Sequence, residues 1–342
     1  MSNKWMKALN KMEGAVDKEY DPFQEGNGIR SGSPSLDWTF GKGSALPLGY
    51  GLLLYGPPKS GKSLVSNLFI GNLHKSDPEA IAIKFNTEMR EAGQMEDYWG
   101  VDQERYMAYD VNEPEYIFDR IKNEILPMIQ DGMPLKLIVI DSLQGIQGVK
   151  EMNRDSVTNH IMGDHAKTIQ DGLKAILPVL RRHRIALICT AHIRGNFDAG
   201  MYGPKEKMAG GWAQKHFFEY FMEVKRDGSS ASKIENDEAK DFRGKKELVG
   251  HKIYVKMADS SVGVSGRSGQ FTLSYNRGLV NTEEEVMELA KNLSLVERPN
   301  NRTYIVDGEK YTSKDEFMAA IKEKPELKQK LLTSVYARDK SA

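Results

Sequence analysis

The stretch Gly51-Leu-Leu-Leu-Tyr-Gly56-Pro57-Pro58-Lys59-Ser60-Gly61-Lys62-Ser63 sets an apolar run directly before the pattern GxxxxGK[ST]. A short apolar run bounded by glycine reads as a strand buried on both faces, and the residues after Ser63 open a helical pattern. Strand, glycine-bearing turn and helix in that order are the context a phosphate-binding loop requires. Glycines let successive backbone N–H groups curl round phosphate oxygens at a helix N-terminus, Lys62 reaches the β- and γ-phosphates, and the Ser63 hydroxyl ligates magnesium. Gly56 to Ser63 are therefore expected to hold ATP with Mg2+. An ordinary glycine turn is the competing reading, and the strand before the loop speaks against it.

Working outward, further apolar runs follow at AIAIKFN (80–86), LKLIVID (135–141) and IALICTAH (185–192), separated by helical stretches. These read as buried parallel strands of an α/β sheet. HKIYVKM (251–257) and GQFTLSY (269–275) are further strands, and the polar stretch 227–247 before them is expected to be a mobile excursion. Near the start, Trp5, Leu9 and Met12 fall at helical spacing among lysines: a short helix on a tether, which must dock on its own domain or on a neighbouring subunit. Near the end, Asp307-Gly308 marks a hairpin turn. Ser313 with Glu316 forms a capping box, and Thr282 with Glu285 repeats that signature before EVMELAKNL. The expected architecture is α/β, with a mostly parallel central sheet, a short N-terminal helix and a small α+β C-terminal module. The divisions fall at 1–28, 29–281 and 282–342.

Three more residues sit where ligands of parallel sheets bind, just past the C-terminal ends of strands. Asp141 ends LKLIVID, where a carboxylate can hold a magnesium shell through water; a helix cap is the alternative. Glu88 follows AIAIKFN and can polarise the water that attacks a γ-phosphate, unless it is a solvated helix-start glutamate. His192 lies beyond IALICTA, where it can sense the γ-phosphate or be a plain surface or core histidine. Composition narrows the partners: Lys plus Arg and Asp plus Glu are each 48, so any DNA site is local or switched rather than spread over the surface. Cys189 is the one cysteine, which excludes a disulfide framework. No apolar run approaches the roughly 20 residues that cross a bilayer, and no signal peptide opens the sequence. The expectation is a cytoplasmic protein without a membrane partner.

The residues carry a family resemblance. IRSGSPSLD (29–37), LPLGYGLLLYGPPKSGKS (46–63), FNTE (85–88) with GVD twelve residues on, LIVIDS (137–142), and Gly210-Gly211 ahead of an amphipathic helix FFEYFMEVKR (217–226) resemble RecA-family recombinases. The tail 302–332 is similar to the small C-terminal region of bacterial members, so the resemblance runs from about residue 29 to 335. His192 stands where bacterial members have glutamine and the UvsX-type recombinases of T-even phages have histidine, which leans toward a phage-encoded protein acting in host cytoplasm.

The resemblance implies a RecA-type P-loop ATPase core and a DNA-dependent ATPase. Such a protein forms a helical filament on single-stranded DNA and pairs it with double-stranded DNA for strand exchange. It assigns Lys62 and Ser63 to phosphate and magnesium, Asp141 to the magnesium shell with Ser142 beside the nucleotide, Glu88 to water activation and His192 to γ-phosphate sensing. Tyr275 matches an aromatic packed on adenine. Lys256 matches one of two lysines that complete the site across a subunit interface; Ala258 occupies the second place, leaving that cation missing or moved to Arg267. Two DNA-binding loops are implied: Lys150 to Lys167, with Arg154, His160, Met162, Gly163 and Asp164, and Arg194 to Gly211, with Phe197, Tyr202, Lys205, Lys207 and Gly210. Basic residues there would contact phosphates and aromatic ones would stack on bases. A ring-forming helicase or motor, and an ATP-gated recombination mediator with vestigial hydrolysis, are the alternatives on the same core.

Overall fold

The computed structural model describes residues 6, 17, 19–89, 98–148, 164–195, 206–208, 216–229, 232–240, 242–275 and 277–338. The expected helix at 3–13 lies outside them apart from Met6. A two-stranded ribbon, β1 (Gly28–Ile29) with β2 (Leu46–Pro47), encloses the short helix α1 (Pro34–Trp38). β3 (Gly51–Gly56) runs through the glycine-bearing turn 57–61 into α2 (Lys62–Ser76). β4 (Ile81–Asn86) and β5 (Tyr106–Tyr109) follow, then wide helical turns Glu115–Asp119 and Ile121–Ile125 that continue into α3 (Leu126–Gln130). After β6 (Leu135–Asp141) come α4 (Asp164–Arg182), β7 (Ala186–Gly195) and β8 (Glu206–Met208). The sheet is completed by β9 (Tyr220–Arg226), β10 (Lys233–Lys240), β11 (Lys246–Ser260), β12 (Ser268–Ser274) and β13 (Gly278–Val280). The last residues form α5 (Thr282–Asn292), a hairpin of β14 (Tyr304–Val306) and β15 (Glu309–Tyr311), α6 (Lys314–Glu323) and α7 (Pro325–Ala337).

Eleven strands share one sheet in the order β13-β12-β11-β9-β3-β7-β6-β4-β5, with β10 on β11 and β8 on β7. From β9 to β5 every pairing is parallel; from β9 outward to β13 every pairing is antiparallel. β3 lies within the parallel part, and all six of its residues are buried. Its side chains alternate between two apolar layers, as a strand covered on both faces must. Leu52 and Leu54 meet Val65, Phe69 and Ile70 of α2, whereas Leu53 and Tyr55 belong with Ile169, Leu173, Ile176 and Leu180 of α4. Those α4 residues recur at the spacing of one helical face. Among the described residues no helix is long and apolar enough to cross a membrane.

Four expectations about the core are corrected. The amphipathic helix expected at 217–226 is strand β9: Tyr220, Phe221, Met222 and Val224 are all buried, and the segment pairs in parallel with β3 through Leu52↔Tyr220 to Tyr55↔Glu223. Aromatic residues on successive positions fill both layers of a central strand, which a one-sided helix could not do. The polar stretch expected to be a mobile excursion contains β10, paired antiparallel with β11; backbone hydrogen bonds to a neighbour suffice for a polar strand added at an edge. Asp164–Lys167, placed by sequence in the first DNA loop, are the first turn of α4. The second loop region is not open throughout, because β8 returns on β7 with Ile193↔Met208 and Gly195↔Glu206 in register.

The tail shows one capping box and not the other. Ser313 Oγ accepts from Glu316 N at 3.1 Å, while Glu316 Oε2 accepts from the Thr312 N–H at 2.6 Å, so the reciprocal bond falls one residue earlier than the motif predicts. Asp307 and Gly308 both have positive φ, 53° and 82°, the turn that matches hairpin twist. At α5, however, Asn281 precedes the helix without a side-chain cap, and Glu285 turns inward. Its Oε2 accepts from Ser33 Oγ (2.5 Å), Ser35 Oγ (2.6 Å) and Ser35 N (3.0 Å). Beside it Asp37 accepts from the Ser31 N–H (2.7 Å) and hydroxyl (2.8 Å), and the Arg30 guanidinium stacks 4.7 Å over the ring of Tyr336 in α7. The Ile29–Asp37 motif thus anchors α5 and α7, while Val286, Met287, Ala290, Tyr304, Phe317, Ile321 and Leu331 form a separate apolar cluster.

Burial pushes the Glu285 carboxyl up from 4.5 to about 7, against hydrogen bonds from Ser33 and Ser35. Asp37 is raised to about 7 by the same cause. A carboxyl that holds its proton more tightly folded than unfolded adds stability at low pH that is lost as pH rises through its folded pKa. Thermal midpoints should therefore fall between about pH 4.5 and pH 7. Glu285→Gln, which keeps an acceptor for the serines, should make that slope shallower; an unchanged slope would place the titration elsewhere.

Candidate nucleotide site

Parallel pairing brings the C-terminal ends of β3, β7, β6 and β4 to one edge. Gly56 is in register with His192 and Asn86 with Asp141. Gly56 admits no side chain, since a Cβ there would lie 2.1 Å from Val224 O. Gly61, at φ 100°, turns the chain into α2, whose N-terminus has no side-chain cap. Ser60 Oγ is buried without a hydrogen-bond partner among the described residues. Uncapped N–H groups at a helix start and an unsatisfied buried hydroxyl suit an anionic phosphate. Pro58, Lys59 and Ser63 stand exposed at the mouth, Pro57 half-buried. Lys62 folds back on its own loop, its Nζ donating to Gly56 O (3.0 Å) and Pro57 O (2.8 Å). Burial lowers its pKa to about 8, opposed by the charges of Asp141 and Glu88.

The strand-end residues are joined by hydrogen bonds. Glu88 Oε1 accepts from Ser142 Oγ at 2.8 Å and lies 2.7 Å from His192 Nε2. The His192 backbone N–H donates to Gln144 Oε1 at 2.8 Å. Thr87 Oγ1 donates to Ser142 O (2.6 Å) and accepts from Ser142 N (2.8 Å), clamping the turn after β4 to the turn after β6. Asp141 is buried; its Oδ1 accepts from Thr190 Oγ1 at 2.5 Å, and its Oδ2 lies 3.6 Å from Lys84 Nζ. Ser63 and Asp141 supply oxygens of the kind magnesium prefers.

Of the residues singled out by sequence, Lys62, Glu88, Asp141, Ser142 and His192 thus come together. Lys256 is exposed on β11, two strands from β3. Arg267 stacks over Trp38 at 4.4 Å and donates to Trp38 O. The Tyr275 hydroxyl meets Arg226 Nη2 (2.6 Å) and His251 Nδ1 (2.5 Å). Burial, with Arg226 and Lys233 nearby, lowers His251 to about 4. Arg194 and Lys207 are register partners across the β7–β8 hairpin. Arg154, His160, Met162, Gly163, Phe197, Tyr202, Lys205, Gly210 and Gly211 lie outside the described residues. Sequence reasoning missed Lys84, Thr87, Gln144 and Thr190. Lys84 carried a signal, a lone charge inside an apolar strand; Gln144 carried none.

A block of parallel strands covered on both faces, with a glycine-turned loop at its C-terminal edge, is the architecture of a nucleotide-binding α/β protein. Within that class the chain belongs to the RecA family, since the profile of the RecA N-terminal domain matches residues 8–280. It is 24% identical over 306 residues to Protein RecA of Wolinella succinogenes, covering 90% of this chain and 81% of that one. It is 23% identical over 327 residues to Protein RecA of Campylobacter jejuni (93% and 86%) and 26% over 300 to that of Mycoplasma genitalium (87% and 82%).

The lowered pKa of Lys62 has a measurable consequence. An ammonium that loses its proton near pH 8 holds phosphate less well above that value, so affinity for a fluorescent ATP analogue should be level below about pH 8 and weaken beyond it. Lys62→Arg should bind with a flatter profile, because guanidinium stays charged; identical profiles would exclude Lys62 as the titrating group.

Proposed function

We propose that this RecA-family chain is an ATP-dependent recombination protein that polymerises on single-stranded DNA and catalyses homologous pairing and strand exchange with double-stranded DNA. Residues 29–281 act as its ATPase core, 1–28 in self-association, and 282–342 as a small C-terminal domain. The supporting observation is the linked cluster of Glu88, Ser142 and His192 beside Asp141 and the phosphate loop. The two segments expected to meet DNA, Lys150 to Lys167 and Arg194 to Gly211, follow in sequence the turn after β6 and the His192 end of β7.

In this reading Gly56 to Ser63 cradle the phosphates, with Lys62 on the β- and γ-phosphates and Ser63 and Asp141 serving magnesium. Magnesium supplies charge neutralisation across the phosphates when bound. Glu88 orients the attacking water, His192 reports the γ-phosphate into the β7–β8 hairpin, and Tyr275 packs on the base. Lys256 reaches the site of an adjacent subunit. A chain with 48 basic and 48 acidic residues gains its hold on DNA from many subunits acting together rather than from one strongly basic face.

The test is ATP hydrolysis with and without single-stranded DNA, together with electron microscopy in the presence of a non-hydrolysable ATP analogue. Stimulated hydrolysis and helical filaments are expected; neither appearing would sink the reading. Lys62→Ala should abolish both hydrolysis and filaments, whereas Glu88→Gln should leave filaments that turn over slowly. Equal loss of assembly in both variants would contradict the assigned roles.

A further inference from the structure

Lys84 is a cation in a place built for an apolar side chain. It lies in β4 on the face shared with Ala82, toward α2, and its side chain is 3% exposed. Burying an ammonium costs several kcal/mol even after relaxation, so a methionine or leucine would be cheaper unless the charge has a task. Its surroundings indicate one. Nζ lies 3.3 Å from Oδ1 of Asn67 in α2, the helix that starts at the phosphate loop, and 3.6 Å from Asp141 Oδ2. Thr190 holds the other oxygen of the same carboxylate at 2.5 Å. Asp141, at the end of β6, is thus gripped from both flanking strands, β4 on one side and β7 on the other.

We propose that Lys84 is a positioning residue of the nucleotide site: tied to the phosphate-loop helix through Asn67, it fixes the plane of the Asp141 carboxylate and offsets its charge. Two effects follow from one contact. Fixing the plane serves turnover, because small misplacements of a reacting assembly are costly in rate. A resident positive charge beside Asp141 also opposes a divalent cation, so it moderates the hold of the carboxylate on magnesium. When magnesium is absent, the same ammonium keeps Asp141 from being a buried, uncompensated charge.

This inference rests on the ATPase reading, and the experiment separates the two. Magnesium is titrated against a fluorescent ATP analogue on the full chain, alongside steady-state hydrolysis and the metal-free thermal midpoint. A wild-type chain that binds no analogue sinks the ATPase reading itself. Given wild-type binding, Lys84→Met is expected to lower the half-saturating magnesium concentration on the order of tenfold while lowering kcat at least about tenfold. The KM for ATP should stay within about threefold. A merely structural role would lower the thermal midpoint and leave the magnesium midpoint in place, and that outcome overturns the proposal, as does a weakened magnesium midpoint. Should Lys84→Met fail to fold, Asn67→Ala decides, because it keeps both charges while removing the contact of Lys84 with α2. A lower kcat with unchanged KM supports the proposal, and unchanged kcat overturns it.

Discussion

The register between β3 and β7 is the constraint on which the site depends. Six successive pairs, Gly51↔Leu187 to Gly56↔His192, set the first residue of the proposed phosphate loop beside the residue proposed to sense its ligand. A parallel pair that slipped by one residue would send every side chain of β3 to the opposite layer, moving Leu52 and Leu54 from α2 to α4. Both layers are apolar at those positions, so the register rests on the fit of particular residues, above all Gly56, where a Cβ would lie 2.1 Å from Val224 O. The neighbouring pair Asn86↔Asp141 extends the alignment across the sheet.

Around that edge the ionisable groups have hydrogen-bonding or charged partners within the protein. Lys84 faces Asp141, His192 faces Glu88, and Lys62 donates to the carbonyls of its own loop. Buried ionisable groups demand such partners, because desolvation otherwise exceeds what any one contact returns. In the proposed function a nucleotide would enter a site already organised, with Lys62 exchanging loop carbonyls for phosphate. A second organised patch, the serines of the Ile29–Asp37 motif closed on Glu285, ties the C-terminal helices to the core by the same logic.

The regions misjudged from sequence share a physical origin. FFEYFMEVKR has apolar residues at both helical and strand spacings, and only its lodging between β3 and β11 decides for the strand. The segment holding β10 lacks an apolar pattern, since its order comes from backbone hydrogen bonds to β11, which leave no trace in composition. Thr282 and Glu285 have the spacing of a capping box, yet Ser33 and Ser35, some 250 positions away in sequence, claim the glutamate. Local patterns lose to long-range partners wherever a buried polar group can be satisfied better at a distance.

Glycine spacing, strand-like apolar runs and the residues just past their ends were enough, from sequence alone, to establish an α/β chain, to point to a phosphate loop and to mark Lys62, Glu88, Asp141 and His192 as candidates. These signals are local, because a tight turn needs glycine and a doubly buried strand needs unbroken apolar residues, whatever surrounds them. Tertiary structure alone decided which strands are neighbours, and through that the contacts of Lys84 with Asp141, of Thr190 with its other oxygen, and of Glu88 with His192. Those pairs join residues 49 to 104 positions apart, a distance over which sequence carries no record of proximity.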